Sequence, residues 1–95
     1  MEIKEFYKAI SDYKKAIEIN PDYIGAHNNL GLIFRGLNDF KNAINCYQKA
    51  IQIQPSHGGA HHNLALAFKE LGQFDKAIES HLDAIKHEPE NLAHH

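Results

Sequence analysis

The chain has 95 residues, 43% hydrophobic and 23% charged, with ten basic residues against twelve acidic ones and a net charge of -2 when the histidines are neutral. Such a balance suits one small globular domain and argues against three classes. No basic stripe marks a nucleic-acid binder, no apolar run approaches the ~18 residues of a membrane span, and the single cysteine, Cys46, makes neither an internal disulfide nor a zinc-holding pair. The opening MEIKEFYKAI mixes charges and lacks an apolar signal core, so an intracellular, cytoplasmic location is expected.

Helical periodicity begins at once. Phe6, Ala9, Ile10, Tyr13, Ala16 and Ile17 recur at three- and four-residue steps and predict a helix over 3–19. Pro21 ends it, lacking the donor that a further turn requires, and Asp22 is a candidate cap for the next helix. Leu30, Ile33, Phe34 and Leu37 predict a helix over 24–37, closed by a turn in which Asn38 accepts the left-handed conformation. Ala43, Ile44, Tyr47, Ala50 and Ile51 predict a helix over 41–53, stopped by Pro55, with Ser56 as the next candidate cap. The same phrasing returns in helices predicted over 58–71 and 75–87, with Gly72 at the turn between them and Pro89 beyond. Strict alternation and β-branched runs are absent, so no strand is expected.

The return is a repeat. When Ile24–His57 is set over Gly58–Asn91, fourteen of thirty-four columns are identical, among them Ala26/Ala60, His27/His61, Asn29/Asn63, Phe34/Phe68 and Pro55/Pro89. Phe6, Ala9, Ile10, Ala16, Ile17 and Pro21 form a preceding half copy in the same register. Fixed self-similarity at this length signals stacked supersecondary units. The expected organisation is a single all-α domain over 1–95. It comprises the second helix of a partial repeat (1–23), full repeats at 24–57 and 58–91, and the start of another in Leu92-Ala93-His94-His95. Small alanines at 43, 50, 77 and 84 let helices approach closely, and Phe34, Phe40, Phe68 and Phe74 are expected to fill the wider gaps. Two apolar stripes, Phe6/Ile10/Tyr13/Ile17 and Ala77/Ile78/Ile85, are expected to lie bare at the two ends.

Period, turn and signature together resemble the tetratricopeptide repeat, a helix–turn–helix of thirty-four residues that builds an α-α superhelix. The residues that carry the resemblance are His27, Leu30-Gly31 and Phe34, then His61, Leu64-Ala65 and Phe68. In the second helices they are Ala43, Tyr47, Ala50 and Pro55, and likewise Ala9, Tyr13, Ala16 and Pro21. The chain departs from the family at His27 and His61, where tryptophan is frequent, and at His81, where an aromatic is expected.

The resemblance implies that the first helices line the inside of a curve. Gly25, Asn28, Asn29, Leu32 and Arg35 would then project inward, followed by Gly59, His62, Asn63, Leu66 and Lys69. The basic clamp with which some members hold chaperone carboxylates is poorly supported, since Gly, Asn and His occupy its columns. Asn29 and Asn63 instead resemble the asparagine ladder inside O-linked N-acetylglucosamine transferases. A carboxamide offers both donor and acceptor to a peptide backbone. Helices ~8–10 Å apart would place one asparagine at about every third residue of a peptide advancing ~3.3 Å per residue. Arg35 and Lys69 add positive charge on the same edge; the alternative is that both asparagines are simply polar helix positions.

Chemistry is hard to find elsewhere. Eight histidines raise the question of metal, but zinc needs three or four converging ligands. His57 is placed in a loop, and His27 and His61 share a packing column. No metal or cofactor is therefore expected. If His27, His61 or His81 is buried and must charge, stability falls at acid pH. His94-His95 read either as native or as the remnant of a tag. Ser11, Ser56 and Ser80 lie in no nucleophile elbow, Cys46 reads as a buried inert thiol, and Lys41, Lys49, Lys69, Lys76 and Lys86 as solvated charges. The expectation is a non-catalytic scaffold that holds a protein or an extended peptide on its concave face. The alternatives are a self-assembly module joined through bare ends and the repeat arm of a larger transferase.

Overall fold

The structure, a computed structural model, describes residues 3–86. Five helices follow in order: α1 (Ile3–Ile19), α2 (Ile24–Gly36), α3 (Phe40–Ile53), α4 (Gly58–Glu70) and α5 (Phe74–Lys86). Each lies within a residue or so of its expected bounds. Pro89 and Leu92-Ala93-His94-His95 lie outside the described residues.

Local chemistry sets the joints. The turns after α2 and α4 place Asn38 at φ 62° and Gly72 at φ 81°. The Asp39 N–H donates to Phe34 O and the Gln73 N–H to Phe68 O, at 2.8 and 2.9 Å. This is the same left-handed closure in both units, and it satisfies carbonyls that the helix end would leave bare. Pro21 and Pro55 sit in the turns after α1 and α3 as expected.

The caps differ from expectation. α2 begins after Tyr23 with no side-chain cap, and the Asp22 N–H donates to Asn20 Oδ1 within the turn. α4 begins after His57, whose Nδ1 accepts from the Ala60 N–H at 2.9 Å. Asp22 and Ser56 each fall one residue too early to reach the first open N–H groups. α3 has a cap that sequence reasoning passed over: Asp39 accepts from both the backbone and the side chain of Asn42.

Neighbours in sequence are neighbours in space. α1 packs on α2, α2 on α3, α3 on α4 and α4 on α5; the backbones of α2 and α4 also approach within 8 Å, whereas those of α1 and α3, and of α3 and α5, do not. The even helices are therefore the closer row, and the stack bends toward them. One core cluster joins Ala43, Ile44 and Tyr47 of α3 to Leu64, Ala67 and Phe68 of α4, with Ala77 of α5. A second joins Ile10, Leu30 and Cys46, with Tyr13, Ile17 and Leu37 against them. Burying side chains of this size stabilises by roughly 1.5–3 kcal/mol each.

The α1 stripe expected to be bare is thus covered: Ile10 is buried, and Phe6, Tyr13 and Ile17 are half-buried. The stripe faces α2, so it belongs to the core and not to an end. Large apolar groups are exposed at the other end, where Phe74, Ile78, Leu82 and Ile85 lie open. Phe74 fills no gap, in contrast to the half-buried Phe40 of its column.

Candidate functional site

The residues expected to line the inner wall lie on α2 and α4. On α2, Asn29 and Leu32 are exposed, while Asn28 and Arg35 are half-buried. On α4, His62 and Lys69 are exposed, while Asn63 and Leu66 are half-buried. α2 and α4 touch, and Asn29 and Asn63 hold the same repeat column of the two helices.

The wall's charge differs from the sequence expectation. Arg35 Nη2 lies 2.6 Å from Glu70 Oε1, and its Nε donates to the same oxygen at 2.7 Å. The pair ties α2 to α4 and uses up the arginine's charge, which leaves Lys69 as the wall's free cation among the described residues. Both side chains are about a third exposed, so the pair contributes at most about 1 kcal/mol.

Two buried polar atoms stand out. Asn28 Oδ1 and Tyr47 Oη are enclosed and meet no hydrogen-bond partner among the described residues. Burial also pushes the Tyr47 phenol up to about 12, opposed by Arg35 and reinforced by Cys46 and Glu70.

His27 and His61 hold structural posts, as their shared column suggested. Each is buried, and each Nε2–H donates to the carbonyl of a proline six residues earlier, Pro21 or Pro55, at 2.9 Å. The acceptor fixes the tautomer, because a carbonyl has no proton to give. These two bonds tie each first helix to the proline turn that precedes it. His81 is exposed and does not share that post. His81 instead stands near His62, with ring centroids 6.4 Å apart.

Among the described residues, no three His, Cys, Asp or Glu side chains come together to hold a metal ion, and no helix is long and apolar enough to cross a membrane. Cys46 is buried, and desolvation pushes its thiol up to about 11, with Lys14 opposing and Asp39 adding to the shift. Such a thiol is a poor nucleophile near neutral pH. Lys76, expected to be merely solvated, lies over the Phe68 ring at 5.7 Å, within cation–π range.

Two concavities flank α4. One, of about 530 Å³, lies toward α3 and has a mixed lining, with Gln48, Gln52, Glu79 and Asp83 beside Ile51, Leu64 and Phe68. The other, of about 420 Å³, lies between α4 and α5 and is mostly apolar. It includes His62, Leu66 and Lys69 of the inner wall.

Residues 25–57 and 46–79 each match a family model described as the tetratricopeptide repeat, and residues 1–37 match one described as a TPR repeat. A crystal structure of MamA is similar with a TM-score of 0.89 at 30% identity, over 96% of this chain and 53% of that one. A second MamA crystal structure gives 0.87 and 30%, over 96% and 50%. The chain therefore spans about half the length of the MamA structures it matches. The second TPR of Spaghetti (RPAP3), bound to the HSP90 peptide SRMEEVD, gives 0.80 and 18%, over 84% of this chain and 74% of that one. No curated protein sequence matches the chain.

Proposed function

The chain belongs to the tetratricopeptide-repeat family, and on that footing we propose that it is a non-catalytic scaffold holding an extended segment of a partner protein along the α2/α4 wall. The reading is carried by one observation: Asn29 and Asn63 occupy the same column of two helices that touch. Each carboxamide offers a donor and an acceptor, and the spacing of packed helices, ~8–10 Å, suits about three residues of extended chain. Contacts of this kind address the backbone and so tolerate many sequences. Leu32 and Leu66 supply apolar contact beside them, and Asn28, Arg35, His62 and Lys69 complete the wall. With Arg35 paired to Glu70, the wall has little net charge, so a strongly acidic ligand gains less here than at a basic clamp. A related fold, that of Spaghetti (RPAP3), holds a peptide, which supports the mode without identifying the ligand.

The test is a pooled peptide library offered to the wild-type chain and to Asn29→Ala/Asn63→Ala. The proposal expects the double variant to keep its melting temperature and to lose at least tenfold in affinity for the captured peptides. Equal capture by both proteins would remove the asparagine contacts from the reading.

A further inference from the structure

The groove of about 530 Å³ between α3 and α5 is lined by none of the inner-wall residues. Repeat stacking leaves such a groove open. One unit earlier the corresponding groove shares its columns, with Ile17, His27 and Lys49 in the places of Ile51, His61 and Asp83, and it still measures about 330 Å³ with further helices stacked beyond it. The later groove differs in charge. Asn45, Cys46 and Lys49 of α3 become Glu79, Ser80 and Asp83 of α5 thirty-four residues on. Stacking does not demand that change, since the α3 residues hold the same columns in a nested unit. Cys46 packs with Ile10 and Leu30, whereas Ser80 brings a hydroxyl to that column. Ser80 is 7% exposed, lines the groove, and its hydroxyl meets no hydrogen-bond partner among the described residues. Glu79 and Asp83 stand one helical turn apart, and neither has an ion-pair partner among the described residues. Asp83 is half-buried.

We propose that this groove takes an arginine side chain from an extended segment of a partner protein. Ile51, Leu64 and Phe68 give the groove an apolar floor, which suits the methylene stem of a long basic side chain. A guanidinium presents five donors in a planar fork, and the α5 wall answers it with the carboxylates of Glu79 and Asp83 and the hydroxyl oxygen of Ser80. Lys76 sets the register. Its ammonium already lies over the Phe68 ring at 5.7 Å, and seven residues, or ~10 Å of helix, separate it from Asp83. The incoming cation therefore seats at the Asp83 end. Across the groove, Gln48 and Gln52 of α3 stand one turn apart, and their carboxamides offer donors and acceptors to a peptide backbone. That second wall favours a peptide over a free cation. An acidic segment would meet both carboxylates and is disfavoured.

The probe is a pool of labelled seven-residue peptides with arginine at the centre and uncharged residues elsewhere, titrated into the 95-residue chain. Saturable capture is expected. It should weaken at least tenfold when citrulline, which keeps the shape of arginine without its charge, takes the central place. Asp83→Asn should weaken capture at least tenfold, and Glu79→Gln and Ser80→Ala by smaller factors, all with melting temperatures unchanged. Asp83→Lys should lose the arginine peptides and capture the same sequences with glutamate at the centre. Absence of saturable capture would overturn the proposal, as would capture indifferent to citrulline or to Asp83→Asn. Tighter binding of free spermidine than of any peptide would overturn it in favour of a small polyamine. Asn29→Ala/Asn63→Ala should leave this capture intact. Its loss in that variant would place these peptides on the α2/α4 wall and overturn the groove, so failure here and failure of the inner-wall reading are distinguishable.

Discussion

Gly31 of α2 lies directly under the ring of Tyr47 of α3: a methyl group built on Gly31 would come within 2.8 and 2.9 Å of ring atoms Cδ1 and Cζ, and nearer still to Cε1. Glycine is required here by close approach and not by backbone twist. One repeat later the pair becomes Ala65 and His81, and the larger small residue faces the smaller ring. The two positions behave as one unit of packing.

Gly31→Ala should therefore change sign with its background. Against Tyr47 the methyl overpacks, at a cost of about 1–3 kcal/mol that outweighs the gain in helix propensity of up to about 1 kcal/mol. In Tyr47→His the same change should be neutral or stabilising. A double-mutant cycle by urea denaturation measures the coupling, and purely additive effects would contradict the fit.

The histidine posts can be separated into shape and bond. His27→Phe keeps a ring in the same space and removes the donor to Pro21 O. Stability should fall by about 1 kcal/mol, the usual worth of such a bond, seen as a lower urea midpoint with an unchanged slope. A midpoint equal to wild type would assign the column to packing alone.

Alkaline stability should depend on Cys46. Its folded thiol is pushed up to about 11 from an ordinary value of 9.0. Below pH 9 both folded and unfolded states hold the proton, and the stability is fully present. As pH rises from 9 through 11 the unfolded chain ionises first, and about 2–3 kcal/mol is lost. Tyr47, pushed up to about 12, extends the fall to higher pH. The gap between denaturation curves at pH 8 and pH 10.5 should shrink in Cys46→Ala to the part that Tyr47 contributes, and a persistent gap of the same size would assign the loss elsewhere.

The turn at Gly72 tests the backbone alone. A side chain there meets nothing within 4 Å, yet φ is 81°. Gly72→Ala should cost about 1–2 kcal/mol through the left-handed conformation only. Gly72→Asn, the choice that the other unit makes at Asn38, should cost less. Thermal melts of the two variants settle the order.

The repeat period, the five helices and the two left-handed turns were legible in the residues, because each depends on neighbours within a few positions. The histidine column was legible too: His27 and His61 recur at the period, and only a demand common to both units keeps them there. The residues expected to face inward could be named, but not their exposure or pairing. Arg35 reads as a free cation until the fold brings Glu70, thirty-five residues away, onto it. The cap at His57 was missed because it depends on where the helix begins to within one residue.

Burial is the clearest case of what the chain alone left open. Ile44 and Ile78, or Tyr47 and His81, stand in matching columns with opposite exposure. A repeated sequence assigns each residue a place on its helix, but whether that place is dry depends on a helix contributed from further along. Sequence by itself determined the brick and its period; tertiary structure alone decided which flanks are covered and which charges are spent.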